Sequence, residues 1–224
     1  MKIEVWSDYA CPFCYIGEKR LARALAEVGD KNISVEFKSF ELDPTAGTEV
    51  VSSTVERFAE KYGLSLEAAA ERVEQISSLG RREGIDFRYA TTRYTNTFDA
   101  LRLTKLAQEK GHDEIITKLF DAYFTKNLEL SDHAVLKKIA AECELSGAQV
   151  EEVLSGDRYA EAVRADELQA ARLGIHGVPY FVVGGKYGLS GAQPFDVLKQ
   201  AITDALSEEN FEGMTCGADG CHFG

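Results

Sequence analysis

The sequence predicts an α/β protein in which one mixed sheet is interrupted by an all-α block. Strand-like alternation at both ends, helical periodicity between them and a length of 224 residues, about one and a half typical domains, support this. The end segments, βαβ and ββα, are each too small to form a covered sheet, so we expect them to combine. The predicted sheet domain comprises 1–50 and 171–208, the helical insertion domain 51–170 and a flexible, cysteine-containing tail 209–224.

The first segment predicts strand, helix and strand in that order. Ile3 and Val5 alternate with polar residues, which is typical of a strand. The chain becomes helical after Cys11, and Gly29 ends that helix. A strictly alternating stretch, 33–38, predicts the second strand.

Serine and glycine residues divide the central block into helices. Ser53 begins one helix and Gly63 ends it, whereas Ser146 and Gln149 predict a capping box at a later helix start. Gly174 ends the last helix of the block.

The final segment predicts a hairpin and a helix. The apolar run 180–183 lies between Pro179 and Gly184, and 186–190 is its predicted partner strand. Pro194 stands where helix starts tolerate proline, ahead of an amphipathic helix.

Composition and charge exclude several classes of function. The chain has 25 basic and 37 acidic residues and a net charge of -12, which argues against a nucleic-acid partner. No apolar stretch approaches the ~18 residues of a membrane span. Because the chain enters a strand at once, without the apolar region of a secretion signal, we expect a cytoplasmic protein. Five widely spaced cysteines do not suit a disulfide scaffold and indicate redox catalysis or metal binding instead.

The segment Cys11-Pro12-Phe13-Cys14 carries the clearest chemical signal. Two cysteines separated by two residues, between a strand and a helix, are typical of thioredoxin-like redox sites, although the spacing alone also allows a metal site. The helix start favours the thiolate of Cys11. We therefore expect Cys11 to be the exposed nucleophile and Cys14, one turn further, to be the enclosed resolving cysteine.

A second signal is Val178-Pro179 at the entry of a later strand. The bond before a proline is the one that can be cis, and a cis-proline loop beside the dithiol would offer the Val178 backbone to an incoming peptide. A proline that simply begins a strand is the alternative. We assign Val178, Pro179 and Phe13 to substrate binding.

Taken together, these motifs resemble the DsbA-like branch of the thioredoxin superfamily and, within it, the FrnE-type proteins. The segments that carry the resemblance are 7–17, 40–44, 96–100, 174–181 and 190–194. The resemblance implies a thioredoxin fold with a helical insertion and thiol–disulfide exchange with disulfide-containing proteins or small thiols. It also implies Cys11 as nucleophile, Cys14 as resolving cysteine and a cis Val178–Pro179 bond. We expect no bound organic cofactor, and the direction of exchange and the oligomeric state stay open.

Two other functions compete with this interpretation. The sequence is also similar to the kappa-class glutathione transferases and hydroxychromene-carboxylate isomerases, which use glutathione and typically have serine where Cys11 stands. A zinc-binding adaptor that uses the four paired cysteines is the other.

The carboxyl-terminal tail holds a second cysteine pair, Cys216 and Cys221. FrnE-type proteins have a similar pair, which implies an auxiliary dithiol that exchanges with Cys11 and Cys14. A zinc site that includes the neighbouring His222, or no function, are the alternatives for this pair.

Overall fold

The computed structural model describes the backbone of residues 1–212, 214–217 and 220–223, and side chains as far as residue 209. Its main sheet has four strands in the order β2-β1-β3-β4, with β1 and β2 parallel and the other pairs antiparallel. The strands are β1 Lys2–Ser7, β2 Ser34–Ser39, β3 Tyr180–Val183 and β4 Tyr187–Ser190.

Helix α1 (Pro12–Val28) connects β1 to β2, and helix α9 (Phe195–Glu212) follows β4. Between β2 and β3 lies the helical block, which confirms the predicted α/β fold with a helical insertion. Its helices are α2 (Thr54–Tyr62), α3 (Leu66–Arg82), α4 (Phe98–Lys110), α5 (Glu114–Phe124), α6 (His133–Ala141), α7 (Gly147–Ser155) and α8 (Ala160–Arg172), with a 3-10 turn at Tyr89–Thr91.

Two short strands, β5 (Met214–Gly217) and β6 (Gly220–Phe223), pair as a separate hairpin. Their register sets Cys216 opposite Cys221. The side chains of both cysteines and of His222 lie outside the described residues, so the predicted roles of this pair stay predictions.

A capping box forms at α2 rather than at α7. The Glu56 amide donates to Ser53 Oγ over 3.2 Å, and the Ser53 amide donates to Glu56 Oε2 over 2.8 Å. Ser146 stands at the start of α7, but its side chain accepts no capping bond, so the box predicted with Gln149 is wrong. The carboxylate of Glu56 adds a charge that the helix dipole favours, whereas Gln149 is neutral.

The largest hydrophobic cluster is shared by the sheet domain and the helical block. Tyr15 of α1 stacks on Phe120 of α5 with ring centroids 5.1 Å apart, and Phe124 stacks on Phe87 at 4.8 Å. Cys11 and Cys14 both belong to this cluster. The opposite side of α1 packs against α9 and β3 through Leu21, Ala24, Phe181, Leu198 and Ile202. None of the helices in the described part of the chain is both long and apolar enough to cross a membrane.

Candidate active site

Cys11 occupies the N-cap position of α1, directly before Pro12. Its backbone is extended, its amide donates to the Asp8 carbonyl over 3.1 Å, and its carbonyl accepts from the Cys14 amide over 3.1 Å. Proline suits the next position because the amide it lacks would have no partner there. The expected exposure of Cys11 is wrong: only 4% of the residue is accessible, since it packs within the cluster shared with the helical block.

The Val178–Pro179 bond is cis, as predicted. The Cys11 thiol donates a hydrogen bond to the Val178 carbonyl, with 3.4 Å between sulfur and oxygen. Pro179 is buried and Val178 is half-buried. The two predicted motifs, 167 residues apart in the chain, therefore meet at the Cys11 sulfur.

Cys14 is 2% exposed, in agreement with the expectation that it is enclosed. Burial raises the pKa of its thiol well above the usual value, and a hydrogen bond to the Cys11 sulfur and the nearby Cys11 charge raise it further. Hydrogen bonds from the Ser7 side chain and the Asp8 backbone act in the opposite direction. Cys14 is thus held as a neutral thiol that donates toward Cys11.

A groove of about 610 Å³ opens over Cys11. Phe13 and Val178 line it on the side of the sheet domain, and Arg57 of α2 and Tyr94 of the loop before α4 line it on the side of the helical block. Cys14 faces instead a separate cavity of about 190 Å³ behind α1. Only Cys11 of the pair therefore faces the space where a substrate would lie.

The Asp8 carboxylate fixes the loops around this groove. It accepts hydrogen bonds from the amides of Ala10 and Leu42, over 3.1 and 2.7 Å, and from the Thr97 hydroxyl over 2.8 Å. Asp8 is 2% exposed, and burial raises the pKa of its carboxyl despite these bonds. Three separate segments of the sequence are in this way held together immediately before Cys11.

Phe13, which the sequence predicts to bind substrate, is 38% exposed and lines the groove; its role stays a prediction. Arg57 and Tyr94, by contrast, were not predicted. Arg57 lies in an ordinary amphipathic helix and Tyr94 in a loop, and neither belongs to a motif with a recognisable spacing. Within the described residues, no group of three or more potential metal ligands lies close together.

The fold and the dithiol define a DsbA-like thiol oxidoreductase. Residues 2–203 match the family model of the DSBA-like thioredoxin domain, and the chain belongs to that family.

Similar proteins support this classification. The crystal structure of probable DsbA oxidoreductase SCO1869 from Streptomyces coelicolor is 36% identical, with a TM-score of 0.88 over 100% of this chain and 99% of that one. Uncharacterized protein YwbO of Bacillus subtilis is 28% identical over 207 residues, 90% of this chain and 96% of YwbO.

More distant structures share the fold alone. A 2-hydroxychromene-2-carboxylate isomerase is 14% identical with a TM-score of 0.71, over 95% of this chain and 98% of its own. The cytosolic disulfide reductase DsbM from Pseudomonas aeruginosa is 15% identical with a TM-score of 0.64, over 93% of this chain and 100% of its own.

Proposed function

We propose that this chain exchanges disulfides with proteins or small thiols, with Cys11 as the nucleophile and Cys14 as the resolving cysteine. The observation that carries the proposal is the different environment of the two sulfurs. Cys11 lines the groove and contacts the Val178 carbonyl, whereas Cys14 is turned away from the groove and is held as a thiol by burial.

In the reducing direction, the Cys11 thiolate attacks one sulfur of a substrate disulfide and the other sulfur leaves as a thiolate. Cys14 then loses its proton and attacks Cys11 Sγ, which releases the second substrate thiolate and forms the Cys11–Cys14 disulfide. Two electrons pass to the substrate, and the two released thiolates take up protons. Two equivalents of an external low-molecular-weight thiol restore the dithiol. The reverse sequence oxidises a substrate dithiol.

Val178, Pro179 and Phe13 are proposed to bind the substrate beside Cys11. Among the described residues, the Val178 N–H has no hydrogen-bond partner, so it is available to the backbone of a peptide. Phe13 offers an exposed ring at the rim of the same groove.

Several finer assignments belong to the same proposal. We propose membership of the FrnE-type branch, a cytoplasmic location, a protein-disulfide isomerase activity and glutathione as a co-substrate on the sequence alone. The auxiliary exchange of Cys216 and Cys221 with the active site is proposed on the cysteine pair alone. A glutathione-dependent isomerase of small aromatic acids is less well supported, because the isomerase structure shares only the fold with this chain.

Single cysteine variants test the assignment of roles. Cys11→Ser should abolish turnover of insulin disulfides, and Cys14→Ser should accumulate mixed disulfides through Cys11 because no resolving thiol is present. Mass spectrometry of the trapped adducts locates the linkage.

Cys143→Ala is the matched control, since this third cysteine is also buried but lies outside the groove. It should turn over insulin as the parent does. Equal trapping by Cys11→Ser and Cys14→Ser would refute the assignment.

A further inference from the structure

On the side of the helical block, the groove that Cys11 lines contains an arginine without an anionic partner among the described residues. Arg57 is half-buried on α2 and forms no ion pair with any described residue. Other half-buried or buried arginines of the chain are paired: Arg20 Nε lies 2.7 Å from Glu83 Oε1, and Arg102 Nη2 lies 2.7 Å from Asp99 Oδ1. Arg57 thus differs from the other half-buried and buried arginines, which each have an acidic partner.

The guanidinium of Arg57 is nevertheless held in place. It lies over the Tyr94 ring, 3.7 Å from the centroid, and the Tyr94 hydroxyl donates to Asp43 Oδ2 over 3.2 Å. Its inner nitrogen, Nη1, is buried and has no hydrogen-bond acceptor. Because stacking already restricts the conformations of the guanidinium, binding an anion costs little further conformational entropy.

Neither acidic residue that lines the groove, Asp43 or Glu60, forms an ion pair with Arg57. Asp43 accepts bonds from the amide and hydroxyl of Thr45, over 3.0 and 2.6 Å, as well as from Tyr94. Lys61 adds a second cation to the groove lining, and Glu60 is exposed. A planar guanidinium can bind a carboxylate through two parallel hydrogen bonds, and because Nη1 of Arg57 is buried, the pair that serves a carboxylate in the groove is Nε and Nη2.

We infer that the groove accepts disulfides that carry a carboxylate, and that Arg57 is the residue that selects them. The inference rests on the proposed function, because Cys11 and Arg57 line the same groove. The substrate class is a small or peptide disulfide with an acidic group on the half that stays bound in the mixed disulfide. Charge-assisted hydrogen bonds of this kind correspond to an affinity change of about tenfold or more.

Three symmetric disulfides that differ in charge test the inference. Dithiodipropionate is anionic, bis-hydroxyethyl disulfide is neutral and cystamine is cationic. In a Cys14→Ser background, the rate of mixed-disulfide formation at Cys11 is measured for each compound. Arg57→Gln should lower the ratio of the anionic to the neutral rate by about tenfold, and it should raise the cationic rate relative to the neutral one.

Two further variants separate recognition from a general effect. Arg72→Gln removes an equal charge from the neighbouring surface beside Phe13, outside the dithiol groove, and should leave the rate ratios as they are. Arg57→Lys keeps the charge without the planar donor pair and should give an intermediate ratio. An unchanged anionic-to-neutral ratio in Arg57→Gln, or an equal loss with all three compounds, would overturn the inference.

Alkylation of Cys11 gives a readout that does not depend on disulfide exchange. Iodoacetate is anionic and iodoacetamide is neutral, and they are similar in size. Arg57→Gln should lower the ratio of their rates, and an unchanged ratio counts against the inference. If no disulfide reacts at Cys11 while the alkylation ratio still depends on Arg57, the proposed function fails and the recognition of carboxylates stands.

Discussion

At the scale of single residues, the active site depends on a buried carboxylate that never contacts the groove. Asp8 accepts hydrogen bonds from Ala10, Leu42 and Thr97, each of which belongs to a different segment of the chain. Two of those segments border the groove, at Ala10 and at Leu42. This side chain therefore links the segment directly before Cys11 to the loop at Leu42 and to the start of α4.

Asp8→Asn should lower stability by about 1–3 kcal/mol, because the amide nitrogen then faces donors that the carboxylate accepted. The loss should depend on pH. Burial raises the pKa of Asp8 above its ordinary value of 3.8, so the folded state binds this proton more tightly than the unfolded state. The parent's free energy of unfolding minus that of Asp8→Asn should therefore decrease as the pH rises above 3.8. Urea unfolding of both proteins across this range measures the difference.

Asp43→Asn is the control with the opposite sign. Hydrogen bonds from Thr45 lower the pKa of Asp43, so its contribution is present above the unfolded value and is lost as the pH falls through the folded one. Parallel slopes for the two variants would contradict the role of burial at Asp8.

At the scale of elements, α3 is held against the groove-side loop by a close contact at a glycine. A Cβ on Gly80 would lie 2.6 Å from two ring atoms of Phe87. Phe87 is 3% exposed and stacks on Phe124, so the ring has little room to move. A side chain at position 80 therefore requires a shift of α3 or of the Phe87 ring.

Gly80→Ala should therefore destabilise the protein, although alanine favours helices. Overpacking costs about 1–3 kcal/mol, whereas the gain in helix propensity is about 1 kcal/mol. Gly147→Ala at the start of α7 is the control, because a Cβ added there would meet no atom within 4 Å, and its stability should equal or slightly exceed the parent's. Chemical denaturation of both variants measures this, and a Gly80→Ala protein as stable as the parent would disprove the contact.

The strands and the dithiol could be predicted from the sequence, whereas the groove wall could not. The alternation around Ile3 and Val5, and the cysteines at a strand-to-helix turn, are local patterns, so both the strands and the dithiol were predictable. The groove wall is different, because the presence of Arg57 in the same groove as Cys11 depends on how α2 packs against the rest of the molecule. The helical repeat of α2 predicts which of its residues share a face, but not which part of the molecule that face contacts. Tyr94 lies in a loop, where no repeat applies. The sequence therefore did not indicate that Arg57 and Tyr94 line the groove.

At the scale of the whole molecule, the sheet and the helical block are joined by a buried charge cluster. Asp166 of α8 is almost inaccessible, forms an ion pair with Lys105 of α4 and lies 3.5 Å from Lys38 Nζ of β2. Its carboxylate also accepts from the Ser39 amide over 2.8 Å, and its carbonyl accepts from Trp6 Nε1 over 3.0 Å. One residue of the block thus contacts both parallel strands.

Asp166→Asn should lower the free energy of unfolding by about 3–5 kcal/mol, because the largely buried ammonium of Lys105 then lacks its anion, whereas Lys38 keeps its ion pairs with Glu4 and Glu36. Since the hydrophobic core is also shared, the parent and the variant should each unfold in a single transition, with the variant's midpoint at a lower denaturant concentration. Glu161→Gln, an exposed change of the same kind on the same helix, should leave the midpoint close to the parent's.

Fluorescence of Trp6, which lies in the sheet, and far-UV circular dichroism, which reports mainly the helices, follow the two regions separately. Two separated transitions in the parent would show that the block is an independent folding unit, and a loss below about 1 kcal/mol in Asp166→Asn would show that the cluster does not join the two regions.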